Sequence, residues 1–215
     1  MKSVVSTKTA LSALAGALLM FGTTTCAFAD VVSGKIEFKK KAPFTGLLYV
    51  PGSGNANKQP VIDQKDKAFT TKIAVGSPNN TMLFSNSDTF DHNIYANDKK
   101  QKVKFDVGLM TPGNSTEIKM DWPDESLVRV GCKIHPKMRS YVANVKSDHF
   151  YAFPFKKKVK SYDFSIKEVP SDKDQLILMI PKYDKLTIEL KKGDSKTIEV
   201  TRKGKVKANL TITRA

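Results

Sequence analysis

The sequence has little cysteine and little histidine, with two cysteines and three histidines among 215 residues. Cys26 lies in an amino-terminal segment that we expect to be removed, which leaves Cys132 as the single thiol of the mature chain. A single thiol excludes an internal disulfide, although cysteines of exported proteins are usually paired. Cys132 is therefore a buried and inert residue, a reactive thiol or a metal ligand.

The sequence also lacks an apolar run long enough to span a bilayer, which takes roughly 20 residues. The apolar run from Ala10 to Phe21 has the length of a signal-peptide core, follows two lysines, and precedes the small-x-small sequence Ala27-Phe28-Ala29. We therefore predict that residues 1–29 are a signal peptide and that the mature chain begins at Asp30, is exported to the periplasm and has no transmembrane segment. A lipid anchor on Cys26 is disfavoured because residues 23–25 are all threonine.

Acidic residues are few relative to basic ones, 21 against 36, which gives a net charge of +15. Most of this charge lies on scattered lysines, with runs at residues 39–41 and 156–158. A solvated surface explains most of it; the more specific interpretation is attraction to an acidic protein or an anionic membrane face. We expect no nucleic-acid partner, since the exported chain has no recognition helix.

Helical periodicity is nearly absent after residue 29, and short segments rich in Val, Ile, Phe, Tyr and Thr alternate with turn signals. This pattern predicts an all-β protein built from sandwiches, with one domain over residues 30–148 and a second, small β-sandwich over residues 149–215. A unit of about 65 residues is marginally stable alone, so we expect it to lean on the first domain. The stretch Val103 to Met110 is a strand or a crossing loop. The other predicted strands are 31–38, 46–50, 72–75, 81–86, 115–120, 126–130, 140–146, 162–166, 175–180, 186–190, 197–201 and 208–212.

The strongest chemical signal is C-x2-H-x2-M, formed by Cys132, His135 and Met138. A thiolate, an imidazole and a thioether are ligands that copper selects, and a blue-copper site needs a second histidine. His92, which we place at the end of a strand, is the obvious donor. Each residue alone is more often a core or surface residue, but the combination in an exported β-protein indicates a metal site.

This segment resembles the copper loop of the cupredoxins, and its spacing is most similar to that of amicyanin. The upstream block, Phe84-x-Asn86-x-Asp88 followed by His92-Asn93, is similar to that of plastocyanin-like periplasmic cupredoxins, over approximately residues 31–145. The resemblance implies a Greek-key β-sandwich with one type 1 copper ion, equatorial ligands His92, Cys132 and His135, and axial ligand Met138. It also implies a hydrogen bond from the Asn93 backbone N–H to the Cys132 sulfur. The carboxyl-terminal part more weakly resembles carboxypeptidase-regulatory-like β-sandwiches.

The leading functional hypothesis is one-electron transfer by Cu(II)/Cu(I), without enzymatic activity. The alternatives are copper storage, delivery or sensing, and a structural or adhesive role. In copper handling, Met82, Met110 and Met120 would supply Cu(I) ligands, but we predict them to be core residues because they lie in strand segments. A multicopper oxidase or nitrite reductase would need more histidines, and a binuclear mixed-valence centre would need two mature cysteines.

The expected partner is a redox protein such as a c-type cytochrome or a periplasmic oxidoreductase. The resemblance implies that electrons pass through the exposed edge of His135. Because Lys133, Lys137 and Arg139 neighbour His135 in the sequence, we expect the partner to be acidic, or else to dock on an apolar patch.

Overall fold

The computed structural model describes residues 30–56 and 59–215, so the predicted signal peptide lies outside the described residues. Within these ranges the chain forms seventeen β-strands and no helix, which confirms the all-β prediction. Accordingly, the described part of the chain contains no helix with the length and apolarity needed to cross a membrane.

Nine strands from the middle of the chain form what we call the inner unit. They are β3 (Val61–Lys65), β4 (Ala68–Phe69), β5 (Ile73–Gly76), β6 (Thr81–Asn86), β7 (His92–Asp98), β8 (Val103–Met110), β9 (Ser115–Lys119), β10 (Ser126–Gly131) and β11 (Arg139–Asn144). The stretch from Val103 to Met110, which the sequence left as either a strand or a crossing loop, is thus a strand. Strands β3, β4 and β7 were not predicted from the sequence.

The inner unit is a sandwich of two sheets with strand orders β4-β3-β6-β9 and β5-β11-β10-β7-β8. Strands alternate inward apolar and outward polar side chains, as β6 does with buried Met82 and Phe84 between half-exposed neighbours. These two residues pack against Ile94, Val128 and Val142 of the other sheet. The resulting core fixes the hairpin β10–β11 and the start of β7, which carry the candidate ligands.

The remaining eight strands form a second sandwich, which we call the outer sandwich. They are β1 (Asp30–Phe38), β2 (Gly46–Tyr49), β12 (Phe150–Phe153), β13 (Ser161–Val169), β14 (Gln175–Met179), β15 (Leu186–Glu189), β16 (Ser195–Arg202) and β17 (Lys205–Arg214). The sheet orders are β13-β1-β17-β16 and β12-β2-β14-β15.

The predicted domain boundary at residue 30 needs correction, because β1 and β2 belong to the outer sandwich. Ile36 of β1 pairs with Leu210, and Leu48 of β2 pairs with Leu178. The inner unit is therefore inserted between β2 and β12. The physical reason is burial: the outer sandwich would be too small a unit without β1 and β2, whose apolar side chains complete its core.

The two units share an apolar interface, as expected for a small domain that leans on its neighbour. The central strands β2 and β14 of sheet β12-β2-β14-β15 are buried on both faces. Leu48 points into the outer core, whereas Leu47 and Tyr49 join a cluster with Tyr141 and Ala143 of β11. A continuous apolar run such as residues 46–50 is typical of a strand covered on both sides. The four sheets stack in layers, and the metal-loop hairpin lies in an inner layer.

Candidate metal centre

The loop between β10 and β11 carries Cys132, His135 and Met138 in a tight turn. The Met138 backbone N–H donates to the carbonyl oxygen of His135 at 2.9 Å, and Pro136 occupies the second turn position, where its fixed φ is favoured. The His135 backbone N–H approaches the Cys132 sulfur at 3.4 Å. Two residues between successive ligand positions therefore suffice to turn the loop back on itself.

His92 is the first residue of β7, the strand next to β10 in the same sheet. The sequence analysis placed it at the end of the preceding strand; that strand in fact ends at Asn86, and a loop separates the two. β7 pairs with β10 at Gly131, directly before Cys132. This pairing brings His92 to the metal loop across 40 residues of sequence.

The three donor atoms of His92, Cys132 and His135 converge within 4.8 Å of one another. The Cys132 Sγ lies 3.9 Å from each Nδ1, and the two Nδ1 atoms lie 3.0 Å apart. Metal bonds of about 2.0 Å to nitrogen and about 2.3 Å to sulfur span such separations. His92 and Cys132 are buried and His135 is half-buried, so the cluster fits one ion that borderline-to-soft ligands bind.

The tautomer of His92 is fixed by Asp88. The His92 Nε2 lies 2.9 Å from the Asp88 carboxylate, and both side chains are buried. An ionised carboxylate only accepts, so Nε2–H donates to it and Nδ1 keeps its lone pair towards Cys132 and His135. A carboxylate behind a histidine orients the ring and raises its basicity as a ligand.

Asp88 is itself held ionised by its surroundings. Its carboxylate accepts hydrogen bonds from the backbone N–H groups of Lys67 and Thr89, each at 2.8 Å. The Lys67 N–H, and then the His92 imidazole, lower the pKa of Asp88 to about 2. Nothing in the sequence indicated the contribution of Lys67, because it comes from a turn 21 residues away.

Asn86 holds the loop that precedes His92. Its side-chain amide donates to the carbonyl oxygens of Phe90 and Met110 at 2.9 and 2.8 Å, and its oxygen accepts from the Asp88 N–H at 3.1 Å. The motif Phe84-x-Asn86-x-Asp88 thus has a physical role: Phe84 enters the core, whereas the two polar residues brace the loop.

Asn93 links β7, β8 and the metal loop. Its backbone N–H donates to the Cys132 sulfur at 3.4 Å, the hydrogen bond that the resemblance implied. Its side chain accepts from the Lys133 N–H and donates to Asp106 at 2.6 Å. The Lys133 ammonium, with the Gly108 N–H and the Asn93 amide, lowers the pKa of Asp106 to about 2. Asp106 was not predicted from the sequence; it lies on β8, the strand that pairs with the strand of Asn93.

The methionines fall into two groups. Met138 is buried at 3% exposure at the end of the metal loop, and its role as axial ligand stays a prediction. Met82, Met110 and Met120 lie in the inner core, and the Met110 sulfur accepts from the Gln64 side-chain amide at 3.7 Å. Their burial among core side chains argues against a separate Cu(I) ligand set.

The segments that carry the candidate ligands expose more apolar side chains than the sequence suggested. Phe90, Leu109 and Ile134 are exposed by 47, 62 and 47%, and they flank the segments that carry His92, Asn93 and His135. Meanwhile Lys133 forms an ion pair with Asp106, and Arg139 lies over the Phe44 ring, 4.4 Å from its centroid. Two of the three basic side chains predicted to surround His135 are thus engaged elsewhere.

Solved structures similar to this chain include cupredoxins, whose matches cover 41 to 51% of it. An oxidized amicyanin mutant is 14% identical, with a TM-score of 0.36 over 45% of this chain and 97% of the neighbour. A purple cupredoxin from Nitrosopumilus maritimus is 18% identical, with a TM-score of 0.34 over 41% and 99%. No protein-family model and no curated protein matches the sequence. Such weak similarity assigns no function by itself, so the proposal below depends on the donor atoms.

Proposed function

We propose that the inner unit binds one copper ion as a type 1 site and carries single electrons between redox proteins. His92, Cys132 and His135 would bind the ion equatorially and Met138 axially. The observation that carries the proposal is the convergence of two imidazole nitrogens and one thiol sulfur within 4.8 Å. Two histidines and a cysteine with a weak methionine are the ligand set of blue-copper electron-transfer sites.

When bound, copper would supply the one-electron chemistry by alternating between Cu(II) and Cu(I). The residues of the chain would keep the ligands in place in both states. The backbone N–H groups of Asn93 and His135 point at the Cys132 sulfur, where they stabilise thiolate charge and so tune the potential. Asp88 and Asn86 fix His92, as described above. A buried, braced site with four protein ligands leaves no position for a substrate, which favours a carrier over an enzyme.

Electrons would enter and leave through His135, the half-buried ligand. The exposed side chains Phe90, Leu109 and Ile134 supply an apolar contact surface around that edge. Contacts between redox proteins are small and short-lived, and a few apolar side chains at the centre suit them. A c-type cytochrome or a periplasmic oxidoreductase is the class of partner that we infer, consistent with export through residues 1–29.

Copper storage or delivery is the second hypothesis, and it would call for an exposed, labile site. The burial of His92, Cys132 and Met138 and the hydrogen bonds behind two of them favour electron transfer. The rate at which a chelator removes copper distinguishes the hypotheses, because a delivery protein should release its ion quickly.

The test is to add Cu(II) to the purified mature protein and record visible and EPR spectra. We expect an intense thiolate-to-copper band and a narrow copper hyperfine splitting. Cys132→Ser should abolish the band, and a Cys132→Ser protein that keeps the colour would falsify the site. Met138→Gln is the matched variant: it should retain copper and shift the reduction potential, since the axial ligand tunes it.

A further inference from the structure

A strongly basic cleft lies where the inner unit meets the outer sandwich. It consists of two adjoining grooves with volumes of about 660 and 340 Å³, both lined by Lys41 and Arg139. No acidic side chain is among the described residues that line either groove. We call this the basic cleft, defined by Lys41, Lys72, Arg129, Arg139, Lys182 and Arg202.

Arginine is concentrated in this cleft. The chain has four arginines among its 36 basic residues, and Arg129, Arg139 and Arg202 line the larger groove. The fourth, Arg214, is buried in an ion pair with Asp30. The guanidinium fork binds carboxylates and phosphates through two parallel hydrogen bonds, which lysine cannot do. In a chain that otherwise uses lysine, such clustering indicates recognition of an anionic group.

Two cations of the cleft lie close together, and neither forms an ion pair with an acidic residue in the described part of the chain. Arg139 and Lys72 both lie over the ring of Phe44, at 4.4 and 5.3 Å from its centroid, and the Lys72 ammonium also donates to the Phe155 carbonyl. Burial, and then the charges of Lys156 and Arg139, lower the pKa of Lys72. An anion bound here would relieve repulsion among cations that are already in position.

The shape and lining of the cleft favour a peptide over other anions. Its cations extend through both grooves, so a compact phosphate would meet only some of them. An acidic sugar chain carries few apolar groups, whereas the lining includes Phe44, which lies under Arg139 and Lys72 and packs against Tyr141. The apolar side chains of Pro43 and Pro181 line the larger groove together with the cations. A segment that alternates carboxylates with apolar side chains matches this lining.

We propose that the basic cleft docks an acidic segment of a partner protein. Arg129 lies on β10 and Arg139 on β11, so the same hairpin carries these two cations and the loop from Cys132 to Met138. A partner anchored in the cleft would therefore also contact the hairpin of the metal loop. That this partner is the redox partner rests on the proposed function, whereas binding to the cleft does not.

The test uses the metal-free full mature chain and poly-L-glutamate as the probe, titrated by calorimetry at low salt. The first variant is Arg129→Glu/Arg139→Glu/Arg202→Glu. The control is Lys65→Glu/Lys119→Glu/Lys167→Glu, which changes the net charge equally at exposed positions outside the cleft. We expect the arginine variant to bind at least about tenfold more weakly than wild type and the control to remain within about twofold. Equal losses in both variants would overturn the proposal in favour of net charge alone.

A second variant keeps the positive charges but removes the guanidinium groups: Arg129→Lys/Arg139→Lys/Arg202→Lys. It should bind poly-L-glutamate several-fold more weakly than wild type, and it decides the case if the glutamate variant does not fold. Unchanged binding by the lysine variant would contradict the role of the arginines. Heparin and polyphosphate are titrated in the same way. If either binds more tightly than poly-L-glutamate, and the arginine substitutions weaken that binding, the peptide assignment is refuted. Because no copper is present, failure here is distinct from failure of the copper site.

Discussion

The two units of this protein bury polar groups for different reasons. In the outer sandwich, Arg214 is fully buried and joins the two ends of the unit, with ion pairs to Asp30 at 2.9 Å and Asp174 at 3.0 Å. In the inner unit, Asp88, His92 and Asn93 are buried around a cluster of ligand atoms that still present lone pairs. We call the first group the closed set, because its buried polar side chains bond to one another. We call the second group the open set, because its ligand atoms keep lone pairs that no bond within the group uses. A buried polar cluster that leaves donor atoms free is thus the better indicator of function.

The largest expected effect comes from breaking the closed set in the outer sandwich. Arg214→Met should lower the free energy of unfolding by about 3–5 kcal/mol, because it leaves buried Asp30 without its guanidinium partner. Arg214 also donates to the carbonyl oxygens of Pro170, Lys173 and Leu190. Urea unfolding measures the loss. The exposed control Arg202→Met should change stability by less than about 0.5 kcal/mol, and equal midpoints for both variants would contradict the structural role.

Breaking the open set should affect metal binding more than stability. Asp88→Asn should weaken copper affinity by about 10–100-fold, the usual effect of removing a carboxylate behind a ligating histidine. Competition with a chelator gives the affinity, and nitrogen NMR of His92 reports the tautomer. Asp184→Asn is the matched control, since that carboxylate accepts similar hydrogen bonds from Thr201 and Gly204 in the outer sandwich. Equal affinities in the two variants would show that Asp88 only shapes its loop.

Acid should destabilise the outer sandwich through Asp30. A hydrogen bond from Lys192, and then one from Arg214, outweigh burial and lower the pKa of Asp30 below its ordinary range. As pH falls, Asp30 therefore takes up a proton at a higher pH in the unfolded chain than in the folded one. The stabilisation from Asp30 is complete above the unfolded pKa of about 3.9 and is lost as pH falls through the pKa of Asp30 in the folded chain. Urea midpoints between pH 5 and pH 2 should fall less steeply for Asp30→Asn than for wild type. Parallel slopes would remove Asp30 from the acid response.

The smallest effect is expected at the ion pair beside the metal loop. Lys133 and Asp106 have 60 and 40% of their side chains exposed, and exposed pairs contribute about 0–1 kcal/mol. Lys133→Ala should therefore leave the thermal midpoint nearly unchanged, in contrast to Arg214→Met. A fall comparable to that of the buried pair would mean that this contact also holds the Asn93 network in place.

The class of fold and the identity of the candidate ligands could be read from local sequence. Short apolar segments with turn residues between them predict strands because side chains alternate across a sheet. Similarly, Cys132, His135 and Met138 are close in the chain, so a single turn brings them together. Core methionines such as Met82 were predicted correctly for the same reason, since they occupy inward positions of a strand.

Only the tertiary structure decided where the chain crosses between units. β1 and β2 precede the inner unit in sequence but complete the outer sandwich, since pairing with β17 and β14 buries apolar faces that short-range patterns leave unassigned. Likewise, the contact of Lys67 with Asp88 and the gathering of Arg129, Arg139 and Arg202 depend on segments far apart in the chain. The sequence by itself thus determined the all-β class and which residues offer atoms suited to a metal. Folding determined their partners, because burial and hydrogen bonding between distant segments depend on the arrangement of the whole chain.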